Sequence, residues 1–143
     1  MTKRISWAEL VPDGYQAVLG LEKYTSSKVE PTVLKLVKIR ASMTNGCAFC
    51  IDMHTEQALK RGETTRRLMG LAAWYESTLY DERERAALAL TDAVTTLGEH
   101  GVPDDVWDDA VKHWGEEGTA DLLLAIATIN VWNRMMVACR IPA

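Results

Sequence analysis

Apolar residues recur at helical spacing along almost the whole chain, and no stretch alternates with period two for long enough to make a strand. Tyr15, Val18, Leu19 and Glu22 fall on one side of a first amphipathic helix that follows Pro12-Asp13-Gly14. Pro31 opens a second helix with Val33, Leu34, Val37 and Ala41 on one face, and Asn45-Gly46 closes it, because these residues tolerate the left-handed backbone used at helix ends. A third helix runs from about Ala48 to Gly62, and Thr64 or Thr65 caps a fourth, "RRLMGLAAWYE". Asp81, with Glu84 three residues on, has the spacing of a capping box and starts a fifth helix that continues through Leu97. Pro103 with Asp104 and Asp105 starts the next, and Thr119 with Asp121 opens the last, which runs towards Cys139. The expectation is an all-α domain with short connections.

The last of these segments, "ADLLLAIATINVWNRMMVAC", is apolar nearly all round and must be covered on most sides. It is read as a helix partly buried against a second subunit, since a chain of 143 residues makes a small core. The longest apolar run, Leu122 to Ile129, is broken only by Thr128 and falls far short of a membrane span. The first ten residues, "MTKRISWAEL", have no apolar stretch of the signal-peptide kind. The length suits one domain, and 48% hydrophobic with 25% charged residues is ordinary globular composition. A net charge of −4 with no basic run argues against nucleic acid as a partner. No membrane association is expected, and a cytoplasmic location follows as the default, where a Cys-x-x-Cys pair is catalytic or metal-binding more often than a structural disulfide.

The candidate chemistry lies in "NGCAFCIDMHTEQALKRG", which places Cys47, Cys50 and His54 within eight residues. On a helix with Cys47 at its N-terminal edge the three share a face. A helix N-terminus favours a thiolate, the two thiols have disulfide spacing, and His54 stands one turn beyond Cys50, within reach of its proton. A c-type haem would need histidine directly after the second cysteine, where Ile51 stands. Zinc would need a fourth ligand from among Cys139, His100, His113 and a carboxylate, and no spacing selects one. A thioredoxin-like site would need strands on either side. The remaining reading is two buried thiols and a core histidine. A redox pair without metal or cofactor is the expectation.

"IRASMTNGCAFCIDMHTEQALKRGET" closely resembles the motif of the alkylhydroperoxidase D-like (AhpD-like) proteins of the carboxymuconolactone decarboxylase family, with looser similarity through "ERERAALALTDAVT" and "LLLAIATINVWNRM". The resemblance implies one all-helical domain over residues 1–143 of about six to eight helices, assembled as a dimer, trimer or hexamer. It implies peroxidase chemistry: Cys50 attacks a hydroperoxide, Cys47 resolves the sulfenic acid to a disulfide, His54 orients the thiols, and a thiol or dithiol reductant protein restores the pair. The family commonly carries a glutamate of a proton relay twelve residues before the first cysteine, where this chain has Lys35. An ammonium group cannot accept a proton at neutral pH, so Lys35 either supports a thiolate by its charge or points to solvent. The alternative to an enzyme is therefore a weakly active or non-catalytic redox-responsive oligomer of the same fold.

Asn130, Asn133 and Arg134 are polar groups on an apolar helix and resemble the family's "NxWNR" segment; they either line the thiol pocket or tie subunits together. Cys139 reads as a packed thiol, His113 as a cation near a helix end, His100 as solvated, and the five tryptophans as packing or interface residues.

Overall fold

The computed structural model describes residues 1–143 and is helical throughout, with no strand beyond one isolated bridge between Gly98 and Gly101. The elements are α1 (Trp7–Leu10), α2 (Pro12–Lys28), α3 (Pro31–Thr44), α4 (Ala48–Lys60), α5 (Thr65–Gly70), a 3₁₀ segment (Leu71–Glu76), α6 (Glu82–Thr95) and α7 (Asp104–Cys139). The all-α expectation is met, and most boundaries fall where the capping residues put them. The Glu30 side chain accepts the Thr32 N–H ahead of Pro31, Thr64 Oγ1 accepts from Arg67 N, and Asp81 and Glu84 form a reciprocal capping box.

Helix α2 contains the Pro12-Asp13-Gly14 stretch expected to precede it, and three further features differ from the sequence reading. The short α1 escaped it; Trp7 stacks there with Tyr15 and Trp132 at centroid distances of 4.9 and 5.6 Å and pins the N-terminus to α7. The expected fourth helix tightens to 3₁₀ after Gly70 and breaks at Ala73 (φ −134°, ψ 43°), and arginines from other helices take the carbonyls around the break. Arg40 bonds the Leu71 and Ala72 carbonyls, and Arg85 those of Trp74, Tyr75 and Ser77. Thr119 does not start a helix: α7 is already running, and the Thr119 hydroxyl is buried without a hydrogen-bond partner. The break lies earlier, at Gly115, whose φ of 71° and ψ of 170° belong to a region open essentially to glycine alone.

The most enclosed element is α3, not the last helix. It packs against α4, α6 and α7 and buries residues all round, so the one-sided face expected from Val33, Leu34, Val37 and Ala41 is incomplete. Val33, Leu34 and Val37 join Leu122 and Ile126 in one core cluster, while Leu36 and Ile39 join Leu71, Trp74 and Leu88 in a second on the other side of the helix. By length and composition α7 could cross a membrane, but here Leu122, Ala125, Ile126 and Ile129 face the core, whereas Ala127, Val131 and Val137 remain exposed.

Candidate active site

The cysteine motif sits at the junction of α3 and α4. The α3 helix closes in a Schellman turn, with Gly46 N–H on the Met43 carbonyl (3.2 Å) and Cys47 N–H on the Ser42 carbonyl (2.9 Å). Gly46 supplies the left-handed residue at φ 65°. Cys47 is thus held by the end of one helix while its Sγ caps the start of the next, accepting the Cys50 N–H at 3.4 Å. Both thiols are free and 1% exposed.

A ladder of amides fixes this junction to α7. The buried Asn133 donates to Ser42 Oγ and accepts from Asn45, whose amide also reaches Asn130; Asn130 in turn donates to Thr95 Oγ1. Of the two roles open for Asn133 and Arg134, the structure therefore gives Asn133 the thiol side. Arg134 is exposed and bonds the Asn130 carbonyl and side-chain oxygens, away from the cysteines.

The two sulfurs are not equivalent. Hydrogen bonding from the Cys50 thiol pulls Cys47 down to about 7 against the opposing effect of burial, and the Cys50 N–H and the Asn133 amide help. The same bond to Cys47, followed by burial, pushes Cys50 well above the ordinary thiol range. The place of Cys47 Sγ at the helix cap favours negative charge there.

Cys50 and Cys47 open in different directions. Cys50 borders a cavity of about 290 Å³ with His54, Gln57 and Glu22, walled by Tyr15 and Trp132. Cys47 borders a separate space beside the C-terminal residues Ile141, Pro142 and Ala143. Cys50 and His54 thus share the cavity wall, and Cys47 meets Cys50 through the hydrogen bond between their thiols.

His54 is buried and forms no hydrogen bond to a sulfur; its Nδ1 lies 3.4 Å from Lys35 Nζ. Burial, then the charges of Lys38 and Lys35, push its pKa down to about 4, so the ring is neutral at pH 7. Lys35 contacts neither sulfur and lines a polar cleft with Arg61, Glu63 and Glu84. It is half-buried, donates to Gln57 Oε1, and falls to about 8 through burial and the charge of Lys38.

Sequence reasoning missed the site's ion pair. Lys38, 1% exposed, donates to Glu22 Oε1, while Trp132 Nε1 donates to Glu22 Oε2 at 3.2 Å. Burial alone would raise the Glu22 carboxyl, but the bond and charge of Lys38 hold it below its ordinary range. The signal was a carboxylate in line with Tyr15, Val18 and Leu19 on an apolar face. No three His, Cys, Asp or Glu side chains are placed to hold a metal ion. Cys139 is buried, His113 Nε2 lies 3.4 Å from Asp109 Oδ1, and His100 is exposed, so none joins the motif.

The sequence profile of the Carboxymuconolactone decarboxylase family matches residues 10–93. The chain belongs to the carboxymuconolactone decarboxylase family. Its similarity to YdfG, an uncharacterised protein of Bacillus subtilis (strain 168), is 44% identity over 139 residues, covering 96% of this chain and 95% of that one. YnjA of Escherichia coli (strain K12) is 29% identical, with 97% of this chain and 78% of YnjA covered. Among solved structures, ATU0492 of Agrobacterium tumefaciens, a protein of unknown function provisionally linked to antioxidant defence (AhpD), is 39% identical at a TM-score of 0.94, covering 99% of this chain and 97% of that one. The debrominase Bmp8 shares the fold at a TM-score of 0.79 and 24% identity, over 90% of this chain and 70% of its own. The family and the AhpD-like fold read from the cysteine motif are thereby borne out.

Proposed function

We propose that this protein is a cofactor-free thiol peroxidase that reduces an organic hydroperoxide with Cys50 and Cys47. The observation that carries the reading is the placement of the two sulfurs: Cys50 borders the cavity, and Cys47, one helical turn away, caps the start of α4, where a thiolate is favoured. When a hydroperoxide enters, the shared proton moves from Cys50 to Cys47, and the Cys50 thiolate attacks the terminal peroxide oxygen. The S–O bond forms as the O–O bond breaks; sulfur loses two electrons and the alkoxide leaves to become an alcohol. Cys47 then attacks the sulfenic sulfur as the proton it carries passes to the departing hydroxide, forming the disulfide and water. A thiol or dithiol reductant protein restores the pair. The exposed stripe of Ala127, Val131 and Ala138 on α7, with Arg134 at its edge, suits burial in a homo-oligomer.

The test is stopped-flow oxidation of the reduced protein by substoichiometric hydroperoxide, followed by thiol counting. One pair per peroxide should be lost, Cys50→Ser should be inert, and Cys47→Ser should leave a trappable sulfenic acid on Cys50. Labelling of Cys47 instead would reverse the roles. Rates no faster than a free thiol would favour the slow redox-responsive oligomer.

A further inference from the structure

We propose that Lys35 feeds protons to this site, passing them from a polar cleft on the far side of α4 through His54 to the alkoxide expelled when Cys50 attacks the peroxide. The proposal rests on the peroxidase reading above.

Lys35 stands between two spaces that share no lining residue. One is the cavity of Cys50 and His54. The other is a cleft of about 500 Å³ whose wall includes Lys35, Arg61, Glu63, Arg67, Asp81 and Glu84. Among side-chain hydrogen bonds, only those of Lys35 Nζ with His54 Nδ1 and Gln57 Oε1 join one wall to the other. The mouth that admits a hydroperoxide is apolar and aromatic, whereas the cleft is lined by ionised groups in contact with water. Substrate and protons thus have separate routes.

The direction of transfer follows from donor chemistry. An ammonium group has donors only, so His54 Nδ1 must accept from it, and the hydrogen of the neutral ring sits on Nε2. A ring that stays neutral down to about pH 4 is a poor acid by itself. As a relay it needs no charge of its own: Nε2 gives its hydrogen to the leaving alkoxide while Nδ1 takes one from Lys35. Lysine becomes an amine, the alkoxide becomes an alcohol, and the cleft reprotonates the amine. The groups that face Lys35 set when it can give: Lys38 on its own helix and Arg61 beyond the end of α4 favour loss of the proton, Glu22 on α2 opposes it, and burial outweighs each of them. Where the family's common pattern has a proton acceptor, this chain has a proton donor.

The test compares two oxidants. An alkyl hydroperoxide expels a basic alkoxide that needs a proton; a peroxy acid such as peracetic acid expels a carboxylate that does not. Reduced wild type, Lys35→Met and Lys35→Arg are mixed with tert-butyl hydroperoxide and with peracetic acid across neutral and alkaline pH. Wild type should lose rate with the alkyl hydroperoxide above about pH 8, as the ammonium disappears. Lys35→Met should be slower with that substrate by on the order of 10²–10⁴-fold and lack the alkaline fall, yet keep its rate with peracetic acid. Lys35→Arg should behave like Lys35→Met, because a guanidinium keeps the charge but does not release its proton. Equal loss with both oxidants, no loss, or full activity of Lys35→Arg would overturn the relay while leaving the peroxidase reading intact. A wild type no faster than free thiol with either oxidant would overturn both.

Discussion

Replacing Glu22 by glutamine removes the counterion of a lysine that has no access to water. Lys38 is 1% exposed and its ammonium is bonded to Glu22 Oε1. Deleting one partner of a buried ion pair typically costs about 3–5 kcal/mol, because the remaining charge stays desolvated. Glu22 keeps 26% of its side chain in solvent, so water already screens part of the pair and the lower end applies. The expectation is a loss of about 3 kcal/mol, or a fall in Tm on the order of 10 °C for a chain of this size. The assay is urea and thermal unfolding of the reduced protein at neutral pH, with Lys38→Met and the double variant Glu22→Gln/Lys38→Met alongside. The double variant should recover most of the loss, since no charge is left stranded. A single variant within about 0.5 kcal/mol of wild type, the range of an ordinary surface change, would refute the reasoning. So would a double variant as unstable as the sum of the singles. Because Glu22 also favours the charged form of Lys35, Glu22→Gln should move the alkaline fall in peroxidase rate to lower pH.

The buried neutral His54 makes stability depend on pH in a defined window. In the unfolded chain the imidazole takes its proton near 6.5, but in the fold not until about 4. The contribution of His54 to stability is therefore level above pH 6.5 and falls between 6.5 and 4, by about 3 kcal/mol in all. Denaturant midpoints of wild type against His54→Gln should lose this slope between pH 6.5 and 5, above the range where Glu22 begins to contribute; parallel curves would contradict it. Sedimentation at low micromolar concentration should show no 15.9 kDa species if the α7 stripe is covered by another copy, and a stable folded monomer would count against that assembly.

The elements that could be read in the sequence were those whose ends carry local chemistry. Pro31, Asn45-Gly46 and the pair Asp81 and Glu84 each act within a few residues, so spacing alone located α3, the start of α4 and α6. What escaped depended on distant partners. Arg40 and Arg85 reach the carbonyls of the 3₁₀ segment from other helices, and a single-sequence pattern holds no trace of that. The site divides in the same way. Cys47, Cys50 and His54 lie on one short segment and were visible. The Lys38–Glu22 pair spans two helices, and its meaning depends on both side chains facing the same cavity edge. Lys35 was noticed through its departure from a family pattern, yet its contact with His54 depends on how α3 lies against α4.

Cys47 is a joint as well as a sulfur. Its backbone closes α3 and its side chain closes α4, so any change in the charge of that sulfur is also a change in how well a helix begins. In a cycling dithiol, oxidation would withdraw an anion from the end of α4, and the free energy lost there would return as readiness to be reduced. The redox potential of the pair and the fraying of one helix would then be two measurements of a single quantity, coupled through one residue. A change at Asn45 or Gly46, which bear no chemistry of their own, would tune electron transfer by altering how the chain turns a corner.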